Sequence, residues 1–390
     1  MTRRQAGFIY TDTFQNYNFG EQHPFNQKRV ELTYELLKDM KAISDEQIIT
    51  PRIATDSEIA LVHDPKYIDA VKRASRNELK EEETIEFGIG TEDTPAFQDM
   101  HLAASQLVGG TLSAVDHVLN GNYNTVVNLG GGLHHGFSRK ASGFCIYNDA
   151  AIAIQYIRKH YDYKVLYVDT DAHHGDGVQW IFYDDPNVCT LSIHETGRYL
   201  FPGTGNINER GHNDGYGTSF NVPVDAFTED ESFLDAYQKT LFNVAEHFIP
   251  DIIVTQNGAD AHVFDPLSHL ACTMNIYEEI PKLAQSVADT YCQGKWIALG
   301  GGGYDIWRVV PRAWSQLWAV ASQGEPFKGE IPTSWLERFQ PDSPVTLPTT
   351  WHDKEDIYKP IPRKEEITEK NSILVQKLLQ PIIHDRNYMM

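Results

Sequence analysis

Cysteine is scarce in this sequence and never closely paired. The four present, Cys145, Cys189, Cys272 and Cys292, form no CxxC, which argues for reduced thiols and against a disulfide frame or zinc finger. Basic residues are also few: 33 Lys and Arg stand against 54 Asp and Glu, a formal net charge of −21. So acidic a chain repels a nucleic-acid backbone and suits a basic partner. No apolar run approaches the roughly 18 residues of a membrane span. Met1-Thr2-Arg3-Arg4 is followed by no apolar stretch of signal-peptide length. The expectation is a cytoplasmic protein that engages neither nucleic acid nor membrane. GxGxxG and GK[ST] are missing too, so the glycine-rich turns are not nucleotide loops of those kinds.

What is abundant is material for a core. Hydrophobic residues make up 41% of 390, with 18 Phe, 19 Tyr and 7 Trp, which excludes wholesale disorder. Five short apolar runs predict buried strands: Thr125–Leu129, 164–168, Val188–Ile193, Ile252–Thr255 and Trp296–Leu299. Their near-continuous hydrophobicity suits a parallel sheet covered on both faces. Helical spacing fills the gaps at 101–120, 148–160, 229–248 and 278–292. Thr228 and Glu231 are placed to start the third of these, and Gly294 to end the fourth. This alternation predicts an α/β fold with a mostly parallel sheet. After Gly324, prolines at 326, 332, 341, 344, 348, 360 and 362 break any long element. The expected organisation is therefore a catalytic body over 1–324 and a charged, Pro-rich extension over 325–390. That extension closes with a helix at 364–380 bearing Ile367, Leu374 and Leu378 on one face, packed on its own domain or against a second copy.

Chemistry collects where the strands end. The runs are followed in turn by Gly130-Gly131-Gly132-Leu133-His134-His135, Asp169-Thr170-Asp171-Ala172-His173-His174-Gly175-Asp176, His194-Glu195, Gln256-Asn257-Gly258-Ala259-Asp260-Ala261-His262, and Gly300-Gly301-Gly302-Gly303-Tyr304. In an open parallel sheet that rim is where ligands bind. Asp171 and His173, two residues apart in extended chain, point the same way. With Asp260 from a distant strand they make a three-ligand O/N set that suits Zn²⁺ and leaves a position for water and substrate; Fe²⁺ and Co²⁺ also fit. His134 and His135 offer proton transfer near neutral pH, with neighbouring carboxylates to fix their tautomers. Tyr304 on a glycine turn can donate to a developing oxyanion. His63, His194 and His23 read as structural.

These motifs, GGGLHHG, ASGFCIYND, VDTDAHHGDGVQ, FPGTG, QNGADAH and GGGGYD, occur in order and resemble the zinc-dependent deacetylases of the histone deacetylase superfamily. Within it the likeness is to the bacterial acetoin utilization deacetylases. The resemblance implies the three-layer arginase/deacetylase-type fold with a central parallel sheet of about eight strands. It implies removal of acetyl from N-ε-acetyl-lysine by zinc-activated water, with acetylated acetyl-CoA synthetase as the protein substrate. Asp171, His173 and Asp260 would then hold zinc. His135 would act as base and acid with His134 beside it, Asp169 and Asp176 would hold the two imidazoles, and Tyr304 would polarise the carbonyl. Gly143, Phe144 and Phe201 would line the acyl-lysine tunnel, with Asp93 gripping substrate backbone at its rim. A structural K⁺ would use carbonyls of Asp169, Asp171 and His173, and Ser192. Asn257, His262 and Leu267 depart from the pattern of many members, which bears on substrate preference. An arginase-like reading lacks its further aspartate, since His262 stands two residues after Asp260. An acetylpolyamine amidohydrolase shares most of these residues, and a silent binding module would have lost one of them.

Overall fold

A computed structural model describes residues 5–354 and 360–389; the basic stretch Met1–Arg4 lies outside them. Eight strands form one sheet: β1 (Ala6–Ile9), β2 (Ile48–Ile49), β3 (Thr125–Asn128), β4 (Val165–Asp169), β5 (Val188–Glu195), β6 (Ser219–Val224), β7 (Ile252–Gln256) and β8 (Trp296–Leu299). Their order is β2-β1-β3-β8-β7-β4-β5-β6, and every pairing is parallel. All residues of β1, β3, β4, β5, β7 and β8 are buried. A sheet with both faces dry needs a helical layer on each, hence the continuous apolar runs.

Two groups of helices supply those layers. Met100–Leu119 packs with Asp149–Tyr161. Asp230–Phe248, Met274–Tyr291, Val310–Gln323 and Lys28–Asp39 pack successively in the other group. The Asp230–Phe248 helix starts one residue later than the sequence suggests. Its cap is Glu229, whose carboxylate accepts the Glu231 and Ser232 N–H groups, while Thr228 donates instead to the Asp225 carbonyl. The Met274–Tyr291 helix starts four residues before the expected Glu278, because Thr273 Oγ1 accepts the Asn275 N–H.

The extension wraps the body. Ile331, Trp335, Phe339, Leu347 and Trp351 bury a second small core against Leu32 and Leu36 of the Lys28–Asp39 helix. The closing helix, Lys364–Met389, lies on Asp230–Phe248 and β6. Of its predicted apolar face Ile367 and Leu378 are buried and Leu374 is half-buried. Asn371 fixes its register, accepting the Asp225 N–H and donating to Thr228 and Ser232.

This topology opens a crevice. The chain leaves β4 for β5 on one side and β7 for β8 on the other, yet β4 and β7 are neighbours with Asp169 level with Gln256. Loops departing in opposite directions from adjacent parallel strands leave a cleft at their C-terminal ends. The segments beginning at Thr170 and Asn257 flank it.

Candidate active site

Asp171, His173 and Asp260 converge there. All three are buried, and one ligand atom from each lies within 4.8 Å of the others, the one such group among the described residues. His173 Nδ1 is 3.1 Å from Asp171 Oδ1 and 3.0 Å from Asp260 Oδ2. The remaining oxygens are tethered: Asp171 Oδ2 accepts from Gln256 Nε2 and the Gly302 N–H, each at 2.6 Å, and Asp260 Oδ1 accepts the Ala172 N–H at 2.9 Å. The glycine turn comes so close that a Cβ on Gly302 would collide with Asp260 Oδ2. Two carboxylates this close and this dry repel. Burial and the neighbouring Asp171 charge push the Asp260 carboxyl up to about 7. A divalent cation relieves that cost, and the O/N/O donor set suits one; the residues fit a metal.

Each histidine of the His134-His135 pair has its own carboxylate. His134 Nδ1 donates to Asp169 Oδ2 and His135 Nδ1 to Asp176 Oδ1, both at 2.7 Å. A carboxylate only accepts, so each neutral ring keeps its proton on Nδ1 and presents Nε2 as acceptor. Their environments differ. For His134, burial opposes the charged form, but Asp169 and Asp171 outweigh it and raise the ring to about 9. For His135, burial and then the His134 charge lower it. Groups with separated pKa values can divide the tasks of charge stabiliser and base.

Tyr304 follows the Gly300–Gly303 turn. Its N–H donates to Asp265 Oδ2 at 2.8 Å, and the preceding carbonyl, Gly303 O, accepts from Arg29 Nη1 at 3.0 Å. Its ring stands edge-on to Phe144 at 5.8 Å and to His173 at 6.4 Å. Burial and the Asp260 charge hold the phenol well above its usual pKa, so it remains a donor.

The predicted tunnel residues gather over this floor. Phe201, 47% exposed, stands edge-on to His135 at 5.0 Å. Gly143 takes φ +53°, and a side chain there would strike the His135 ring. Phe144 also has positive φ, and its carbonyl accepts from Tyr17 Oη at 2.7 Å. Asp93 is half-buried. Its Oδ2 accepts the Gly143 N–H at 2.8 Å, so part of the rim carboxylate is already committed to this chain's backbone. His23 packs at 4.7 Å on Phe144. Ser192 lies opposite Asp169 in strand register, with Oγ 2.8 Å from His194 Nδ1.

Several supports escaped sequence reasoning. Tyr167 donates to Asp169 Oδ2 at 2.7 Å. Arg29 is buried under the glycine turn between Phe25 and Trp314. Asp149 receives the Gly132 and Leu133 N–H groups and so shapes the His134 loop. Gln256 sat inside a motif already singled out and Asp265 three residues beyond it, whereas Arg29 and Tyr167 carried no local signal.

The histone deacetylase domain model matches residues 23–321. The chain belongs to the histone deacetylase family. The acetoin utilization protein AcuC of Bacillus subtilis (strain 168) is 60% identical over 379 residues, covering 97% of this chain and 98% of that protein. The AcuC of Staphylococcus xylosus is 46% identical over 377 residues, with the same two coverages. A crystal structure of an HDAC homolog complexed with SAHA superposes with a TM-score of 0.83 at 30% identity, covering 94% of this chain and 100% of that one. The HDAC homolog from Aquifex aeolicus gives 0.82 at 29%, with the same coverages. This deacetylase is thus AcuC-like over nearly its full length. Its family is metal-dependent, and the buried Asp171–His173–Asp260 group could hold a metal ion. Among the described residues no helix is long and apolar enough to cross a membrane.

Proposed function

We propose that this protein is a zinc-dependent protein lysine deacetylase of the cytoplasm, acting on acetylated acetyl-CoA synthetase in acetoin or acetate metabolism. The observation that carries the reading is the convergence of three chemistries on one dry floor. The Asp171–His173–Asp260 group, the two carboxylate-held histidines and the Tyr304 turn meet beneath Gly143, Phe144 and Phe201.

Asp171, His173 and Asp260 would hold zinc, which when bound supplies Lewis-acid polarisation of an acyl oxygen and acidifies water. His135 presents Nε2 to take a proton from the attacking water and return it to the leaving lysine amine. Asp176 fixes its tautomer. His134, kept protonated by Asp169, places positive charge beside the developing negative charge. The Tyr304 hydroxyl donates to the same oxyanion from another side, and that hydrogen bond strengthens as charge grows. Phe144 and Phe201 form apolar walls suited to a four-carbon stem, excluding water around it. Asp93 has a second oxygen to offer peptide N–H groups at the rim. A structural K⁺ would sit among the carbonyls of Asp169, Asp171 and His173, and Ser192, next to the zinc ligands.

A turnover comparison tests the reading. Zinc-loaded protein is offered acetyl-lysine peptide, acetylated acetyl-CoA synthetase and acetylputrescine. The proposal expects turnover of both lysine substrates, with the synthetase preferred by kcat/KM. Preference for acetylputrescine would replace it with acetylpolyamine hydrolysis, and no turnover of any amide would replace it with a silent metal-binding module.

A further inference from the structure

The Pro-rich extension reaches the loop that carries Asp260 through one buried carboxylate. Asp353 comes 91 residues after His262, and its side chain is 3% exposed. Its Oδ2 accepts from His262 Nε2 and from the Met274 N–H, each at 2.9 Å, and its Oδ1 accepts from Arg312 Nη2 at 2.8 Å. Arg312, 2% exposed, also donates to the carbonyls of Thr350 and Trp351, at 3.4 and 3.3 Å. The end of the wrap is thus tied to the starts of two helices and to the loop between Asp260 and Cys272.

His262 passes the tie onward. Its Nδ1 accepts the Phe264 N–H at 3.1 Å, so a neutral ring carries its proton on Nε2, where Asp353 receives it. Its carbonyl accepts the Asp265 N–H at 2.8 Å, while Val263 N–H reaches the Cys272 carbonyl at 2.9 Å. Asp265 in turn holds the Tyr304 N–H at 2.8 Å. Contacts therefore run unbroken from Asp353 through His262 and Asp265 to Tyr304, and Asp260 lies two residues before His262.

The extension needs no charge to adhere, since Trp335, Phe339, Leu347 and Trp351 already bury an apolar core. A desolvated carboxylate is costly unless fully satisfied, and it adds directionality that apolar packing does not. We infer that Asp353 is a positioning residue: the extension sets the loop that places both Asp260 and Tyr304, so the chemistry depends on a segment beyond the catalytic body. This rests on the deacetylase reading above.

The test uses the full chain with Asp353→Asn, His262→Phe and the double variant. Four quantities are read: kcat and KM on an acetyl-lysine peptide, zinc release to a chelator, hydrogen exchange of amides 261–272, and thermal midpoint. Small displacements of a reacting group cost up to about 100-fold. Each single variant is expected to lose about 10- to 100-fold in kcat with little change in KM, to release zinc faster and to exchange faster within 261–272. The double variant should be no worse than the more severe single one, because both act on one contact. His262→Gln, which keeps a donor toward Asp353, should recover part of the loss. If Asp353→Asn fails to fold, His262→Phe carries the test, as it leaves the Asp353–Arg312 pair in place. A lowered midpoint with unchanged kcat, zinc release and loop exchange would overturn the inference, as would multiplicative losses in the double variant. Absent turnover in the wild type would instead overturn the deacetylase reading, while zinc release and exchange would still judge the role of Asp353.

Discussion

His134 and His135 lie almost ring to ring, centroids 3.9 Å apart, yet each is held by a different carboxylate, Asp169 or Asp176. Burial opposes charge on both rings, but Asp169 and Asp171 outweigh it at His134, whereas at His135 the His134 charge adds to it, so the two proton affinities separate. In the proposed mechanism His135, the ring whose neutral form is favoured, is the base.

That difference predicts His135→Ala to abolish turnover with metal content unchanged. General acid–base help is worth roughly 10²–10⁴-fold. The check is kcat beside elemental analysis, and loss of zinc with the activity would show that His135 is a ligand.

Removing a ligand should do the opposite. Asp171→Ala is expected to lose metal and activity together while circular dichroism stays native, because the fold's core lies below the cleft. Wild-type protein should hold one catalytic transition ion per chain. Two tightly held ions by mass spectrometry would favour dinuclear, arginase-like chemistry.

Asp93 should separate the substrate classes of the proposal. A peptide has N–H groups beyond the tunnel and a free diamine does not. Asp93→Ala should weaken kcat/KM for acetyl-lysine peptide more than for acetylputrescine, even after allowance for the Gly143 N–H it leaves unpaired. Equal losses would mean that Asp93 shapes the rim and contacts no substrate backbone.

His63 predicts a pH effect on stability rather than on rate. It is buried, and its Nε2 accepts the N–H of Asn148, whose side chain donates to the carbonyls of His134 and Gly136. Burial lowers its pKa from 6.5 to about 3. Between those values the unfolded chain takes up a proton that the folded chain refuses, so this contribution is intact above about 6.5 and is lost as pH falls toward 3. The slope from one proton is at most about 1.4 kcal/mol per pH unit. Thermal midpoints of His63→Gln should depend less steeply on pH across that window than those of the wild type, and parallel curves would refute the assignment.

The central strands were legible because burial on both faces keeps them mostly apolar until their C-terminal ends; Trp296–Leu299 matches its strand to the residue. The edges were not. β2 has two residues, and β6 carries Asn221 and Pro223, tolerated where one side of a strand is unpaired. The Asp171–His173–Asp260 group and the histidine pair stood out because ionisable residues at strand ends are costly without a purpose. Asp353 did not, since a lone aspartate in a Pro-rich tail reads as solvated surface, and only the fold brings it to His262. His262 looked like a departure bearing on substrate choice; the structure shows a buried ring held by Asp353.

Tyr304→Phe is decisive for the proposed chemistry, by kcat on an acetyl-lysine peptide with hydroxamate binding and zinc content measured on the same sample. The phenol should favour the charged transition state over the ground-state amide, so the loss should fall on kcat more than on KM. Loss of one oxyanion donor costs about 10²–10³-fold. At least about 100-fold slower kcat is expected, of the order set by that donor, with zinc, fold and hydroxamate affinity retained. A near-normal kcat would rule out the phenol as the oxyanion donor.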